Sequence, residues 1–232
     1  MPPEHDAGVQ ISRGVFITFE GVEGSGKSTQ IALLQAAVRQ GGISVSCFRE
    51  PGGTPAGEQI RTVLLSHEAD VTPAAELFLF LAARAELVAK AVAPALASGR
   101  WVLCDRYSDS TLAYQGYARG FPLDWLRSLN RFATQNVSPY LTILLDLDPR
   151  VGLARSTGRD RMEAEDEEFH RRVRQGFLDL AGQEPERFVV IDGTLPAQHI
   201  HRKVVDVVSS RTGVRLPCCS AGGECAPSPH MI

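Results

Sequence analysis

The sequence predicts a three-layer α/β sandwich, in which a five-stranded parallel sheet lies between two layers of helices. Apolar runs rich in β-branched residues alternate with longer segments of helical periodicity. The loops after four of these runs are polar or contain glycine, as expected at the carboxyl ends of parallel strands. No Pro/Gly/Ser-rich linker divides the middle of the 232 residues. We therefore expect a single α/β domain.

The strands are predicted from the apolar runs, in chain order. They are Val15–Phe19, Ser44–Phe48, Trp101–Cys104, Leu141–Leu147 and Phe188–Ile191. Two of these runs contain a single cysteine, Cys47 or Cys104, which fits the role of a small buried hydrophobe. The five runs are expected to form the sheet between the two layers of helices.

The helices are predicted where apolar residues recur at helical spacing. They are Lys27–Gln40, Gly57–Leu65, Pro73–Ala97, Leu123–Gln135, Pro149–Arg155, Glu165–Ala181 and Ala197–Ser209. The glycine pair at residues 41–42 ends the first helix. The acidic run at residues 163–168 begins the sixth, because negative charge suits the positive end of a helix.

The composition argues against two classes of protein. A net charge of −3 does not suit a general nucleic-acid binder, which usually carries a basic face. The first twelve residues lack the apolar core of a signal peptide, and no later apolar run approaches the length that spans a membrane. We expect a cytoplasmic protein with neither nucleic-acid nor membrane partners.

Residues 1–13 and 213–232 are predicted to be disordered tails around a domain at residues 14–212. The second tail is rich in Ser, Gly and Pro and contains Cys218, Cys219 and Cys225. A metal site made from these thiols and His230 is an alternative, but their spacing matches no zinc pattern. Reduced thiols in a disordered segment are the preferred interpretation.

The most informative motif is the stretch from Gly21 to Ser28, which fits G-x-x-x-x-G-K-[ST] at every fixed position. It follows the first apolar run and leads into a helix. Such a loop turns successive backbone N–H groups toward one anion, Lys27 adds a positive charge, and the Ser28 hydroxyl can bind Mg²⁺. Lysine occurs only three times in the chain, so the lysine in this loop is not readily explained as an ordinary surface residue. The alternative is a glycine-rich turn without a ligand.

Charged residues follow the second and third strands. Asp105 closes a buried strand and can hold Mg²⁺ through water, while Arg106 beside it can grip a phosphate with two hydrogen bonds. Arg49 after the second strand is another candidate phosphate ligand. The alternative for each is a structural ion pair that only orients a loop.

Glu23 lies inside the phosphate loop, where bound phosphates would repel its carboxylate. We expect it to point across the cleft and to accept a hydrogen bond from a sugar hydroxyl of a second ligand. Phe80 and Arg84 are four residues apart and share a helix face, so a ring and a guanidinium can line a pocket for a planar base. Core packing is the favoured alternative for this pair.

A flexible basic segment, predicted as a lid over residues 155–165, carries Arg155, Arg159 and Arg161 among Ser, Thr and Gly. Such a lid would bring positive charge onto a transferring phosphoryl group and exclude water. A solvated charged loop is the alternative.

At this point the chain resembles the thymidylate kinase family of nucleoside monophosphate kinases, which have the P-loop NTPase fold. The resemblance runs from about Gly14 to Thr212 and rests on FEGVEGSGKST, FREPGGT, LFLFLAAR, DRYSDSTLAYQG and GRDRMEAED, in that order. It implies transfer of the γ-phosphoryl group of ATP to dTMP with Mg²⁺, and a homodimer. The apolar helix near Phe78 is a candidate interface, although a monomer would bury the same residues.

The resemblance also implies roles for individual residues. The ATP phosphates and Mg²⁺ are assigned to the loop residues Gly21, Val22, Glu23, Gly24, Ser25, Gly26, Lys27, Ser28 and Thr29, with Asp105 near the metal. Glu23 takes the sugar 3′-hydroxyl, Phe80 stacks on thymine and Arg84 bonds its carbonyl edge. Arg49 and Arg106 grip the dTMP phosphate. The nucleoside pocket is lined by Ser110, Thr111, Tyr114 and Gln115, with the Tyr114 ring where a ribose 2′-hydroxyl would sit.

Family members differ in the source of a catalytic arginine, which lies either in the phosphate loop or on the lid. Here the loop position is Gly24 and the lid is rich in arginine, so the chain resembles the lid-arginine, bacterial-type form. Lys27, Arg106, Arg159 and Arg161 are the expected catalytic residues, and Arg155 is assigned to stacking on adenine. The Glu50–Pro51 peptide resembles a cis peptide of the family. A kinase of another acceptor and a non-catalytic nucleotide-binding module remain alternatives.

Overall fold

A computed structural model of the protein describes residues 14–155 and 160–218. It contains one parallel sheet of five strands in the order β2-β3-β1-β4-β5. They are β1 (Phe16–Glu20), β2 (Val45–Arg49), β3 (Trp101–Asp105), β4 (Leu141–Asp146) and β5 (Phe188–Asp192). Each strand starts at the predicted residue or the one after it, which confirms the predicted sheet. Because β1 lies between β3 and β4, the loop that follows it is at the centre of the sheet edge.

Helices cover both faces of the sheet. They are α1 (Lys27–Gln40), α2 (Pro55–Leu65), α3 (Pro73–Leu87), α4 (Ala93–Ala97), α5 (Ser108–Thr111), α6 (Leu123–Ala133), α7 (Pro149–Arg155), α8 (Glu167–Gln183) and α9 (Ala197–Thr212). A π-helical segment, Val88–Val92, joins α3 to α4, so the predicted helix Pro73–Ala97 is continuous. Pro94 has no N–H for the bond to residue 90, which explains the change of register before it.

Capping residues account for two shifted helix starts. Thr54 accepts a hydrogen bond from the Gly57 backbone N–H at 3.0 Å, so α2 begins at Pro55, two residues before the predicted start. The Asp166 carboxylate accepts from the Phe169 N–H at 2.7 Å, and α8 therefore begins after Asp166. Capping residues are polar and lie just outside the helix, so the periodicity of apolar residues does not locate the helix start to within one or two residues.

One helical stretch is missing from the prediction. Residues 108–118 form α5 and a π-helical segment, Leu112–Ala118, where only pocket-lining side chains were expected. Most side chains between Asp109 and Gln115 are buried, including polar ones. A helix buried on nearly all sides has no polar stripe, so its periodicity is weak.

The core lies on both faces of the sheet, which confirms the three layers. On one face Ile17 and Phe19 pack with Leu34 of α1 and Val204 of α9. On the other face, side chains of α3, α6 and α8 pack beneath β4 around Leu144. Within the described ranges, none of the helices combines the length and apolar character needed to cross a membrane.

The folded chain extends past the predicted boundary at residue 212. Leu216 is 5% exposed and belongs to the core cluster of α1 and α9, and Val214 packs against that cluster. The prediction of a disordered tail from residue 213 is therefore wrong for residues 213–218, because two apolar side chains among polar ones are enough to anchor the segment. Cys219, Cys225, His230 and residues 1–13 lie outside the described residues. Cys104 is buried and Cys47 is partly buried, as expected.

Leu216→Ala is expected to lower the free energy of unfolding by about 2 to 3 kcal/mol, because it removes a buried side chain from a packed cluster. Arg215→Ala, an exposed neighbour, is the matched control and should change it by less than about 0.5 kcal/mol. Urea unfolding followed by circular dichroism measures both. Equal stabilities of the Leu216→Ala variant and the wild type would show that this segment is not part of the folded domain.

Candidate active site

A cavity of about 280 Å³ opens at the carboxyl ends of β1, β2 and β3. This is where ligands of open parallel sheets bind. It is lined by most of the predicted site residues: Glu23, Gly24, Lys27, Ser28, Arg49, Phe80, Arg84, Asp105, Arg106, Ser110, Thr111, Tyr114 and Gln115. The motifs that are far apart in the sequence thus meet in one place.

The phosphate loop connects β1 to α1, and its lysine folds back over it. The Lys27 ammonium donates to the carbonyl oxygens of Gly21 at 3.0 Å and Val22 at 2.9 Å. Burial, together with the nearby Arg106, lowers the pKa of Lys27 to about 8. A phosphate anion in the loop would favour the charged form.

Gly24 shows why the loop carries no arginine. Its φ is +65°, and an added Cβ would lie 2.1 Å from the backbone oxygen of Gly152 in α7. Any side chain at position 24 therefore requires α7 to move. This contact favours the form of the family in which the catalytic arginine lies elsewhere.

Ser28 and Asp105 form the predicted metal position. The Ser28 hydroxyl donates to Asp105 Oδ2 at 2.9 Å, so an oxygen at the start of α1 meets one at the end of β3. Mg²⁺ prefers such oxygen ligands and completes its shell with water and phosphate oxygens. In the part of the chain that is described, no group of three or more His, Cys, Asp and Glu could hold a metal by itself. The residues present fit a metal ion bound together with a nucleotide.

Arg106 adopts a left-handed backbone conformation with φ of +66°. Its guanidinium donates to Gly21 O at 3.0 Å and to Glu23 Oε1 at 3.0 Å, and it lies over the Tyr114 ring at 5.1 Å. An ion pair at this position was the alternative to phosphate binding. The structure contains the ion pair, formed with Glu23, and still places the guanidinium at the cavity.

Glu20 holds the turn that carries Arg106, a role that the sequence analysis missed. It is fully buried, and its carboxyl group accepts from the Tyr107 N–H at 2.8 Å and from the Ser110 hydroxyl at 2.7 Å. Burial and the nearby Asp109 raise the pKa of Glu20 to about 8. The sequence feature that could have revealed this role is a carboxylate at the end of a mostly apolar strand.

The Glu23 carboxylate is surrounded by donors. Oε1 accepts from Arg106 and from the Tyr114 hydroxyl, and Oε2 lies 3.5 Å from Nδ1 of His170, a fully buried residue of α8. Burial opposes ionisation of Glu23, but Arg106, His170 and Lys27 outweigh it and hold its pKa well below the usual range. Glu23 is therefore an anion at neutral pH that lines the cavity. His170 had no local sequence signal.

Arg84 differs from its expected arrangement. It is 1% exposed, and its five N–H groups donate to protein acceptors: Glu50, Thr111, Asn130 and the Tyr107 carbonyl oxygen. Glu50 is itself 6% exposed, so the two form a buried ion pair. The guanidinium thus builds the cavity wall and has no N–H left over for a base. Phe80 is partly buried and lines the same cavity.

Arg49 is oriented by a neighbouring helix. Its Nη2 donates to Glu58 of α2 at 2.9 Å, and the side chain remains 36% exposed at the cavity. Arg61, which the sequence analysis missed, also lines the cavity and donates to Pro51 O at 2.9 Å. The Glu50–Pro51 peptide is cis, as the resemblance implies.

The predicted lid arginines have different surroundings. Arg155 at the end of α7 donates to Gly193 O at 3.2 Å, beside the loop after β5. Arg161 donates to Leu64 O at 2.9 Å and to Glu76 at 2.7 Å, and among the described residues it does not line the cavity. The expectation that Arg161 faces the phosphates therefore differs from the structure, because a buried carboxylate holds it elsewhere. Arg159 lies outside the described residues.

Comparison with known proteins decides the family. A sequence profile described as thymidylate kinase matches residues 19–204. The chain is 50% identical over 204 residues to a thymidylate kinase from Deinococcus radiodurans, covering 87% of this chain and 99% of that one. It is 51% identical over 210 residues to a thymidylate kinase from Synechococcus sp., covering 90% and 100%. This chain belongs to the thymidylate kinase family.

A crystal structure of thymidylate kinase from Ehrlichia chaffeensis also aligns with this chain. The TM-score is 0.70 at 36% identity, and the alignment covers 84% of this chain and 98% of the other. The predicted thymidylate kinase resemblance and the nucleoside monophosphate kinase fold are thereby confirmed. The thymidylate kinase motifs named above are the segments that converge on the cavity.

The buried Glu20 yields a test of site stability. Its folded-state pKa is raised from 4.5 to about 8. Its contribution to stability is therefore full below pH 4.5 and is lost as the pH rises through 8. Glu20→Gln retains a donor for Ser110 and an acceptor for Tyr107. The free energy of unfolding of the variant relative to the wild type should rise between pH 6 and pH 9 by about 2 kcal/mol.

Urea unfolding at the two pH values measures this difference. Glu68→Gln, which changes an exposed carboxylate, is the control and should show no such rise. Parallel stabilities of wild type and Glu20→Gln across this range would refute the raised pKa.

Proposed function

We propose that this protein transfers the γ-phosphoryl group of ATP to dTMP, giving ADP and dTDP. The observation that carries the proposal is one cavity in which the phosphate loop meets Phe80, Tyr114 and Glu23, an aromatic ring, a phenol and a carboxylate. Membership of the thymidylate kinase family supports it. The same family uses ATP with Mg²⁺.

The donor side of the cavity is the phosphate loop. Its backbone N–H groups and the N-terminus of α1 receive the ATP phosphates, and Lys27 exchanges its two carbonyl partners for phosphate oxygens. Ser28 and Asp105 hold Mg²⁺, which neutralises charge on the phosphate oxygens when it is bound. Arg155, which donates to Gly193 O, is assigned to stacking on adenine.

The acceptor phosphate lies between the two sides, with Arg49 and Arg106 as its ligands. One of its oxygens is already an anion at neutral pH, so no general base is needed. That oxygen bonds to the γ-phosphorus while the bond to the bridging oxygen of ATP breaks, and ADP leaves with the electron pair. Catalysis is then positioning and charge neutralisation.

The sugar and base select the acceptor. Glu23 accepts a hydrogen bond from the 3′-hydroxyl, and the ring of Tyr114, whose hydroxyl donates to Glu23, occupies the space that a 2′-hydroxyl would need. Phe80 stacks on thymine. Arg84, whose N–H groups are all taken by protein acceptors, shapes this pocket.

The arginine that approaches the transferring group is assigned to the lid, with Arg159 as the candidate. Arg161 is tied to Glu76 in the described chain, so it serves as an anchor of the segment. The contact between Gly24 and Gly152 supports this division, because it excludes an arginine from the phosphate loop.

We infer a homodimer that acts in the cytoplasm. Phe78 of α3 is 54% exposed and Phe132 of α6 is 87% exposed. The two rings lie on helices that contact each other. A dimer interface on these helices would cover them.

The test is an acceptor panel with Mg-ATP, in which ADP release is measured and the product is identified. We expect rapid release with dTMP and little with thymidine, dCMP or dAMP.

Lys27→Ala and Arg106→Ala should each lower kcat/KM by about 100-fold or more, because each removes a charge that neutralises phosphate. The matched control is Lys90→Ala, at an exposed position, which should retain full activity.

Phosphorylation of thymidine but not of dTMP would contradict the proposal, and so would ADP release that does not require an acceptor. Circular dichroism of both variants checks that lost activity does not reflect lost folding.

A further inference from the structure

Glu76 lies at the centre of a buried charged network next to the cavity. It is fully buried in the first turn of α3, and each carboxylate oxygen accepts two hydrogen bonds. Oε1 accepts from Gln115 Nε2 and Arg119 Nε, both at 2.9 Å. Oε2 accepts from Arg119 Nη2 at 2.9 Å and Arg161 Nη2 at 2.7 Å. Both oxygens are fully used by protein donors.

The partners of Glu76 belong to two different parts of the cavity. Gln115 lines it directly from the π-helical segment. Arg161 lies in the segment at residues 160–165, whose Asp160, Met162 and Glu163 line the cavity. One carboxylate therefore joins two parts of the cavity wall that are 46 residues apart in the chain, as the numbers of Gln115 and Arg161 show.

The segment at residues 160–165 is held by several contacts besides the one to Glu76. The Arg161 N–H donates to Leu65 O at 3.2 Å, its Nε donates to Leu64 O, and Met162 is 5% exposed. The remaining backbone bonds run within the turn, to Asp160. Glu76 binds the Arg161 end of this segment directly, and its partner Arg119 binds the other end through Glu165.

Charge balance supports the same conclusion. Arg119 also donates to Glu165 at 2.7 Å, so two guanidiniums face two carboxylates. Burial opposes ionisation of Glu76, but Arg119, Gln115 and Arg161 keep its pKa below the usual range. Loss of this charge leaves the Arg161 guanidinium without its carboxylate, while Arg119 keeps Glu165. The Arg161 end of the segment is then released, whereas the Glu165 end stays bound to Arg119.

We propose that Glu76 is a positioning residue for the acceptor pocket, which fixes Gln115 and residues 160–165 in one arrangement. The proposal rests on the proposed function, because it takes this cavity as the dTMP site. Glu76 touches no reacting atom. Its effect is on acceptor binding, and the phosphate loop does not depend on it.

The test compares Glu76→Gln with the wild type by calorimetric titration of dTMP and of ATP. The variant should bind dTMP about tenfold more weakly and ATP within about twofold of the wild type, since only one partner of Oε2 loses its counter-charge. Trypsin should also cleave after Arg161 faster in the variant. Glu168→Gln, an exposed carboxylate on α8, is the matched control and should change neither.

Arg161→Gln breaks the same contact from the other side and serves if Glu76→Gln folds poorly. It should weaken dTMP binding to a similar extent, and the double variant should be no weaker than either single one. Equal loss of dTMP and ATP affinity, or additive losses in the double variant, would overturn the positioning role. Failure of the wild type to bind dTMP would instead overturn the proposed function, and the proposal with it.

Discussion

The ion pair between Glu23 and Arg106, at 3.0 Å, is the interaction on which the site depends. It joins the phosphate loop after β1 to the turn after β3, and its two side chains are 10% and 18% exposed. Each charge is held where water hardly reaches, so the loss of Arg106 leaves the buried Glu23 carboxylate with only His170, Lys27 and Tyr114 to compensate it, which destabilises the site. The two sides of the cavity are therefore kept at a fixed separation.

The same principle recurs around the cavity. The interior of the sheet is largely apolar, and acidic side chains at or near its edge hold the arginines and turns of the site. Glu20 holds the turn of Arg106, Glu50 holds Arg84, and Glu58 holds Arg49. Contacts of this kind order the site before a ligand binds, which reduces the conformational entropy that is lost on binding. The guanidinium groups of Arg49 and Arg106 thus remain available at the cavity, whereas that of Arg84 is used up by protein acceptors and only supports the wall.

How far the sequence predicts the structure depends on the range of the interactions. The sheet and phosphate loop were predictable, because strand periodicity and the spacing of Gly26, Lys27 and Ser28 are local. The partners of Arg84 and Arg161 were not, since Glu50 and Glu76 lie 34 and 85 residues away along the chain. Residues 108–118 were missed as a helix because burial on all sides removes the amphipathic pattern.

The most direct test of the account measures whether Glu23 recognises the 3′-hydroxyl of the acceptor. Calorimetry would compare the binding of dTMP and of its 3′-deoxy analogue to the wild type and to Glu23→Gln. A hydrogen bond to a buried carboxylate predicts at least about tenfold tighter binding of dTMP by the wild type, and a much smaller ratio in the variant. Equal binding of the two nucleotides by the wild type would contradict the account, as would an unchanged ratio in the variant.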